Sequence, residues 1–172
     1  MHHCTIVEIL EARERRQKER RQAVDIYGGT AVSVQLNIPG QVKDSKAYRN
    51  VLLAAVEAIN HEVGKRNVLA LKESVRFYKT GPEALFIFDV TALKLKKLMV
   101  TIEEQHPLGR LFDIDVYDEK DAPISRRLLT YEERKCFVCN DTAKVCGRSR
   151  RHDLSVVIKR VNQMIATYEC KK

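Results

Sequence analysis

The chain has 172 residues, 44% of them hydrophobic and 31% charged, with 31 Lys and Arg against 23 Asp and Glu. That length and apolar content predict one folded domain over residues 1–172 and exclude bulk disorder. Seven Gly and four Pro exclude collagen-like and Pro-rich classes, and no apolar run is long enough for a membrane-spanning helix.

From the N-terminus, a short apolar patch precedes dense charge between Glu11 and Arg21. That order is wrong for a signal peptide and predicts a cytoplasmic location. Residues 6–24 read as a helix, with Glu11/Arg15 and Glu14/Lys18 spaced for i,i+4 pairing. Val32, Val34 and Leu36 alternate with polar residues as in a half-buried strand, which ends at Asn37-Ile38-Pro39-Gly40. Asn37, Gly40 and Lys43 either line a phosphate pocket or simply build that turn. Tyr48, Val51, Leu52, Ala55, Val56, Ile59 and Val63 then keep helical period. Two strands are expected at 75–79 and 84–90, around a Thr80–Glu83 loop whose Glu83 is a candidate third acid. Thr91 is placed to cap a helix with the stripe Leu95, Leu98, Met99 and Ile102, which His106-Pro107 ends. A strand at 111–117 follows, and a last helix runs from about Leu154 to Tyr168. The short link at 80–83 favours antiparallel pairing, so the class is α+β, a mixed or antiparallel sheet flanked by helices. A Cys- and Arg-rich loop and the C-terminal helix occupy about 134–172.

The charge is uneven: ten basic and four acidic residues between Arg126 and Arg160 supply +6 of the net +8. Such a field attracts phosphates, nucleic acid or an acidic protein. In Phe112-Asp113-Ile114-Asp115-Val116, strand alternation sends both carboxylates to one face and the apolar residues to the other. Two neighbouring acids repel each other, and a shared Mg²⁺ relieves the conflict, as in phosphoryl and nucleotidyl transfer. The plainer alternative is a solvated edge strand. Arg110, Ser125, Arg126 and Arg127 supply phosphate-binding chemistry close by, or form an exposed turn. His106 is either a phosphate contact or proton relay, or a packing residue at a helix end. Cys136, Cys139, Cys146 and His152 have the ligand types of a structural zinc site. The irregular second half of their spacing tips the balance toward core thiols.

His106-Pro107-Leu108-Gly109-Arg110-Leu111-Phe112-Asp113-Ile114-Asp115-Val116 resembles the signature of the apo-citrate lyase phosphoribosyl-dephospho-CoA transferase family. The likeness extends through Ala12–Arg15, Leu36–Gly40, Thr80–Ala84, Ser125–Arg127, Arg134–Cys139, Ala143–Cys146 and Arg148–His152, nearly the full length. It implies transfer of 2'-(5''-phosphoribosyl)-3'-dephospho-CoA from its triphosphoribosyl precursor to a serine of the apo acyl-carrier (γ) subunit of citrate lyase, releasing pyrophosphate. It also implies that Asp113 and Asp115 hold Mg²⁺, that Arg110, with Arg126 and Arg127, neutralises phosphate charge in catalysis, and that a carboxylate or His106 accepts the serine proton. Ser125, Arg126, Arg127, Arg148, Arg150, Asn37 and Lys43 would contact substrate or carrier. The malonate decarboxylase counterpart shares an Asp-x-Asp pair reminiscent of nucleotidyltransferases. The Gly-Ser that precedes the acids in many of those enzymes has no match here, which leaves their fold only one option for this chain.

The rival reading is a small basic, zinc-stabilised nucleic-acid-binding module without catalysis. Asp113 and Asp115 argue against it, because without a metal they repel a phosphate backbone. The chain also lacks Trp and an evident aromatic platform for bases.

Overall fold

The computed structural model describes residues 2–170. A helix, α1 (Ile6–Tyr27), leads into β1 (Thr30–Leu36) and α2 (Lys46–Gly64). A hairpin of β2 (Ala70–Tyr78) and β3 (Gly81–Phe88) follows, then α3 (Ala92–Gln105) and β4 (Phe112–Val116). The chain closes with α4 (Ala143–Ser149) and α5 (Leu154–Glu169). The four strands form one antiparallel sheet in the order β2-β3-β1-β4. The architecture is α+β, as the sequence predicts.

Period-two alternation divides the sheet into two unlike faces. Val32, Val34, Ala84, Phe86, Phe88, Phe112, Ile114 and Val116 point to one side and are buried against α2 and α3. Val161 and Ile165 of α5 join the same core. The opposite face carries Ser33, Gln35, Glu83, Asp113 and Asp115, and only a small apolar cluster of Ala23, Ala31 and Ile87 lies there.

Helix α1 covers part of that polar face. A reciprocal Thr5–Glu8 capping box starts it, with Thr5 N–H donating to Glu8 at 2.8 Å and Glu8 N–H donating to Thr5 Oγ1 at 3.2 Å. Its arginines reach the sheet rather than the helical partners expected from spacing. Arg15 and Arg16 donate to Glu83 at 2.8 and 3.3 Å, and Arg15 has only a 3.8 Å contact with Glu19 along the helix. A buried carboxylate outcompetes a solvated i,i+4 neighbour because an exposed pair gains little in water. Glu83 therefore sits inside β3, as an ion-pair anchor, and not in the loop where the sequence placed it.

Two further differences are local. Thr91 occupies the N-cap of α3 with extended dihedrals, but its side chain makes no capping hydrogen bond. Within the expected Arg-rich loop lies α4, a seven-residue helix that contains Gly147 and is too short to show an apolar stripe. Among the described residues, no helix is long and apolar enough to cross a membrane.

Arg20 and Asp121 lock α1 to the loop after β4. The Arg20 guanidinium is buried, lies 3.5 Å over the Tyr117 ring and donates to Asp121 at 2.5 Å. Burial works to raise the Asp121 carboxyl, but Arg20 and Arg21 outweigh it and hold the group below its ordinary 3.8. Asp121→Asn should destabilise the protein by about 3 kcal/mol, because it strands a buried cation. Asn tolerates the left-handed backbone there (φ 60°), so strain would not account for the loss. A depressed folded pKa stabilises above the unfolded value. This contribution should therefore be complete above about pH 4 and vanish as pH falls through the folded value. Equal denaturation midpoints for parent and variant at neutral pH would refute the assignment.

Candidate active site and metal cluster

Asp113 and Asp115 stand together on the polar face of β4, opposite Gln35 and Ser33 of β1. Phe112, Ile114 and Val116 between and around them are fully buried on the other side. Both acids open into a cavity of about 460 Å³ that Lys96, Arg110, Ser125, Arg126 and Arg134 also line. Burial, and then the charge of Asp113, push the Asp115 carboxyl above its ordinary range, against the pull of Lys96 and Arg134. Two crowded carboxylate oxygen donors in a partly desolvated cleft fit a hard divalent cation such as Mg²⁺.

The support for these acids comes from α3. β4 is an edge strand, so one side of its backbone has no strand partner. Lys96 Nζ donates to the Ile114 carbonyl at 3.0 Å, and Glu103 Oε1 accepts the Ile114 N–H at 2.9 Å. Ile124 N–H donates to the Val116 carbonyl at 2.8 Å. Lys96 and Glu103 lie seven residues apart and are both buried, so one helix face presents both charges to the strand. Gly109 permits this approach: a Cβ there would fall 2.3 Å from the Glu103 carbonyl oxygen.

Glu103 also organises the arginines. It accepts Arg126 Nη2 at 2.8 Å and a close contact from Arg134, whose other nitrogen donates to Asp113 at 2.8 Å. The sequence brought Arg126 back beside the acids. Arg126 does line their cavity, but its guanidinium is held by Glu103 and Glu104, and Arg134 is the arginine on Asp113. Arg134, Lys96 and Glu103 were not singled out from sequence.

The remaining candidates divide by position. Ser125 lines the same cavity and caps the turn at Arg126–Leu129, its oxygen accepting from Arg127 N–H at 3.2 Å. Arg127 also lines it and pairs with Glu133. Arg110 donates to the Lys135 carbonyl at 2.8 Å, its guanidinium 4.1 Å from the Phe137 ring centroid. Its Nη1 is buried without a hydrogen-bond partner among the described residues. Burial first, and Arg134 second, push Arg110 down to about 10. Asn37 shares the cavity wall. Lys43 instead donates to the Ile38 carbonyl at 2.5 Å and lines a smaller cavity of about 180 Å³ that touches Asp113 and Glu83.

His106 lies outside these cavities. Its Nδ1 accepts the Leu108 N–H at 3.0 Å, and its ring packs near Phe112 and Tyr168 at 4.9 and 5.4 Å. Arg148 and Arg150 are exposed, and Arg150 lines a neighbouring cavity beside α4.

Cys136, Cys139, Cys146 and His152 converge, with their ligand atoms all within 4.8 Å of one another. Cys139 Sγ lies 3.3 Å from Cys146 Sγ and 3.2 Å from His152 Nε2, and Cys146 Sγ is 3.8 Å from that nitrogen. A tetrahedral zinc with bonds of ~2.3 Å to sulfur sets ligand atoms roughly 3.7 Å apart, so the cluster can hold such a metal. Of its three cysteines only Cys146 is buried, and all three converge on His152, so these are not the core thiols that the spacing favours. What closes the irregular spacing is a reversal after α4, with Arg150 left-handed at φ 47°. Burial works to raise the Cys136 thiol, but N–H groups of Val138 and Cys139 and the neighbouring thiols outweigh it and hold it below its ordinary range. Burial and the same neighbours push Cys146 up to about 12.

Comparison with known proteins bears on this geometry. The family model for apo-citrate lyase phosphoribosyl-dephospho-CoA transferase matches residues 4–168. The chain belongs to that family. A Vibrio cholerae serotype O1 (El Tor Inaba N16961) protein named probable apo-citrate lyase phosphoribosyl-dephospho-CoA transferase is 34% identical over 95% of this chain and 92% of its own length. An Escherichia coli O157:H7 protein of the family name is 29% identical over 95% of this chain and 90% of its own. Haemophilus influenzae Protein CitXG is 32% identical over 94% of the chain, which spans only 35% of that longer protein. Membership in the apo-citrate lyase phosphoribosyl-dephospho-CoA transferase family makes the chain a transferase.

Proposed function

We propose that this transferase moves 2'-(5''-phosphoribosyl)-3'-dephospho-CoA from its triphosphoribosyl precursor to a serine of the apo acyl-carrier (γ) subunit of citrate lyase. The observation that carries the reading is the Asp113–Asp115 pair facing an arginine-lined cavity. Asp113 and Asp115 would hold Mg²⁺, which when bound supplies positive charge against the triphosphate. Arg110, with its unpartnered Nη1, and Ser125 are placed to donate to phosphate oxygens. Glu103 orients Arg126 and Arg134 in advance, so little rearrangement is needed as charge develops on the leaving pyrophosphate.

The carrier serine oxygen forms a bond to the α-phosphorus as the bond to the pyrophosphate oxygen breaks. The serine proton is assigned to a carboxylate of the pair, because His106 lies outside the cavity and its Nδ1 already accepts a backbone N–H. Exposed Lys144, Arg148 and Arg150 supply a basic rim that suits an acidic carrier. For the Cys136, Cys139, Cys146 and His152 cluster, the thiolate and imidazole donor set favours zinc, in a structural role with all four positions filled by protein.

The decisive experiment is mass spectrometry of the apo carrier after incubation with this protein, Mg²⁺ and the triphosphoribosyl precursor. One prosthetic group gained per carrier, matched by pyrophosphate, is the expected result; an unmodified carrier would sink the reading. In the same assay Arg134→Lys should lower kcat by roughly a hundredfold, because a lysine cannot hold Glu103 and Asp113 in one planar fork. Arg150→Ala should instead raise a KM, spare kcat, and have less effect at high salt. Equal kcat losses in the two variants would contradict this division.

A further inference from the structure

A second cavity of about 520 Å³ adjoins the acidic one, and Asn37, Arg110 and Ala143 line both. Its character is different. Phe137, Leu154 and Val157 give it apolar walls, with Arg150 at its side and Asp153 its one carboxylate. Size and lining fit an elongated organic ligand with an aromatic ring, an apolar arm and a phosphate group for the arginines. Arg110 stands at the junction, its guanidinium 4.1 Å over Phe137 and its Nη1 buried without a partner. A buried donor of that kind is costly unless a ligand acceptor meets it.

We infer that this second cavity binds the dephospho-CoA arm of the substrate, leaving the triphosphoribosyl end to Asp113 and Asp115. The inference rests on the transferase reading above and deepens it. Arg110 then serves both halves of one ligand, donating to a phosphate of the arm where the two cavities meet. The metal cluster gains a purpose beyond stability, since Cys136, Cys146 and His152 form part of the wall of the arm's cavity.

Gly147 offers a clean test. It lines the cavity, lies within α4, and a Cβ built there meets nothing within 4 Å. Gly147→Phe can therefore fill the space without a backbone clash, and Val157→Phe narrows it from α5. Gly147→Ala is the control, adding one methyl in open space. Dephospho-CoA and, separately, pyrophosphate with Mg²⁺ are titrated calorimetrically into each protein. Both Phe variants should weaken dephospho-CoA binding at least about tenfold, equivalent to one decade of Kd, and leave pyrophosphate binding unchanged. Gly147→Ala should bind both probes like the parent.

Unchanged dephospho-CoA affinity in both Phe variants would overturn the inference, as would equal losses for the two probes. The titrations need neither carrier nor turnover. A parent protein that binds dephospho-CoA but never modifies the carrier would count against the transferase reading alone. Modification of the carrier, with dephospho-CoA affinity indifferent to Gly147 and Val157, would count against the arm's cavity alone.

Discussion

Replacing Asp115 by asparagine should abolish transfer to the carrier while leaving the protein at least as heat-stable as its parent. The carboxylate is half-buried on a strand, and burial together with Asp113 disfavours its charge. No hydrogen bond or ion pair to it exists among the described residues, so the fold gains little from keeping it ionised. Asparagine has the same shape and removes that repulsion. Transfer should suffer because the divalent cation proposed for the pair would lose one of two protein ligands, a matter of several kcal/mol of transition-state stabilisation. In rate that is roughly a thousandfold or more. Asp113→Asn should cost as much activity and return less stability, since Arg134 loses its 2.8 Å partner. Carrier modification rates and thermal melts on both variants provide the check. Either variant within about tenfold of the parent rate, with EDTA equally harmless, would remove the cation from this pair.

With zinc in the cysteine cluster as proposed, chelation should lower the melting temperature by roughly 10 °C. A ligand present at a thousand times its Kd stabilises by about 4 kcal/mol. For a chain of this size each kcal/mol is worth about 2–4 °C. The cluster ties the segment after Arg134 to α4 and to the start of α5, where little else is buried. Cys146→Ser should reproduce the effect and carry less than the one zinc per chain expected of the parent. Chelation followed by excess Mg²⁺ separates the two metals: the acidic pair is refilled and the lost melting temperature is not. Purified protein that is zinc-free and melts no lower would return these residues to ordinary thiols.

The acidic pair was legible because i,i+2 spacing on an apolar strand leaves only one geometry, both carboxylates on one face. The antiparallel sheet was legible for a similar reason, the short hairpin link after β2. Arg134 was hidden because it reaches Asp113 across a sequence separation of 21 residues, most of them outside helices and strands, over which no periodicity survives. Lys96 and Glu103 were read past because a charged residue beside an apolar stripe is ordinarily solvated. A signal was present: 96, 99 and 103 share a helix face, and Met99 between the two charges is fully buried. The cysteine cluster was legible as a set of zinc-type donors, but not as a closed site, because its irregular spacing is spanned by a short helix and a left-handed reversal at Arg150 that the sequence does not announce.

The side-chain partners along β4 also restrict how a second protein can approach. Exposed strand edges commonly recruit extended peptides by adding a strand. Here Lys96 and Glu103 occupy the Ile114 carbonyl and N–H, and Ile124 occupies the Val116 carbonyl. Those three backbone groups beside the acids are thus already engaged and leave little for an added strand to pair with. The opposite edge, β2, is separated from β4 by both β3 and β1. The carrier proposed above would therefore offer its serine on a protruding loop or helix end that enters from above the polar face. Recognition would rest on side chains and charge, and a peptide cut from the carrier should be a poor substitute for the folded subunit.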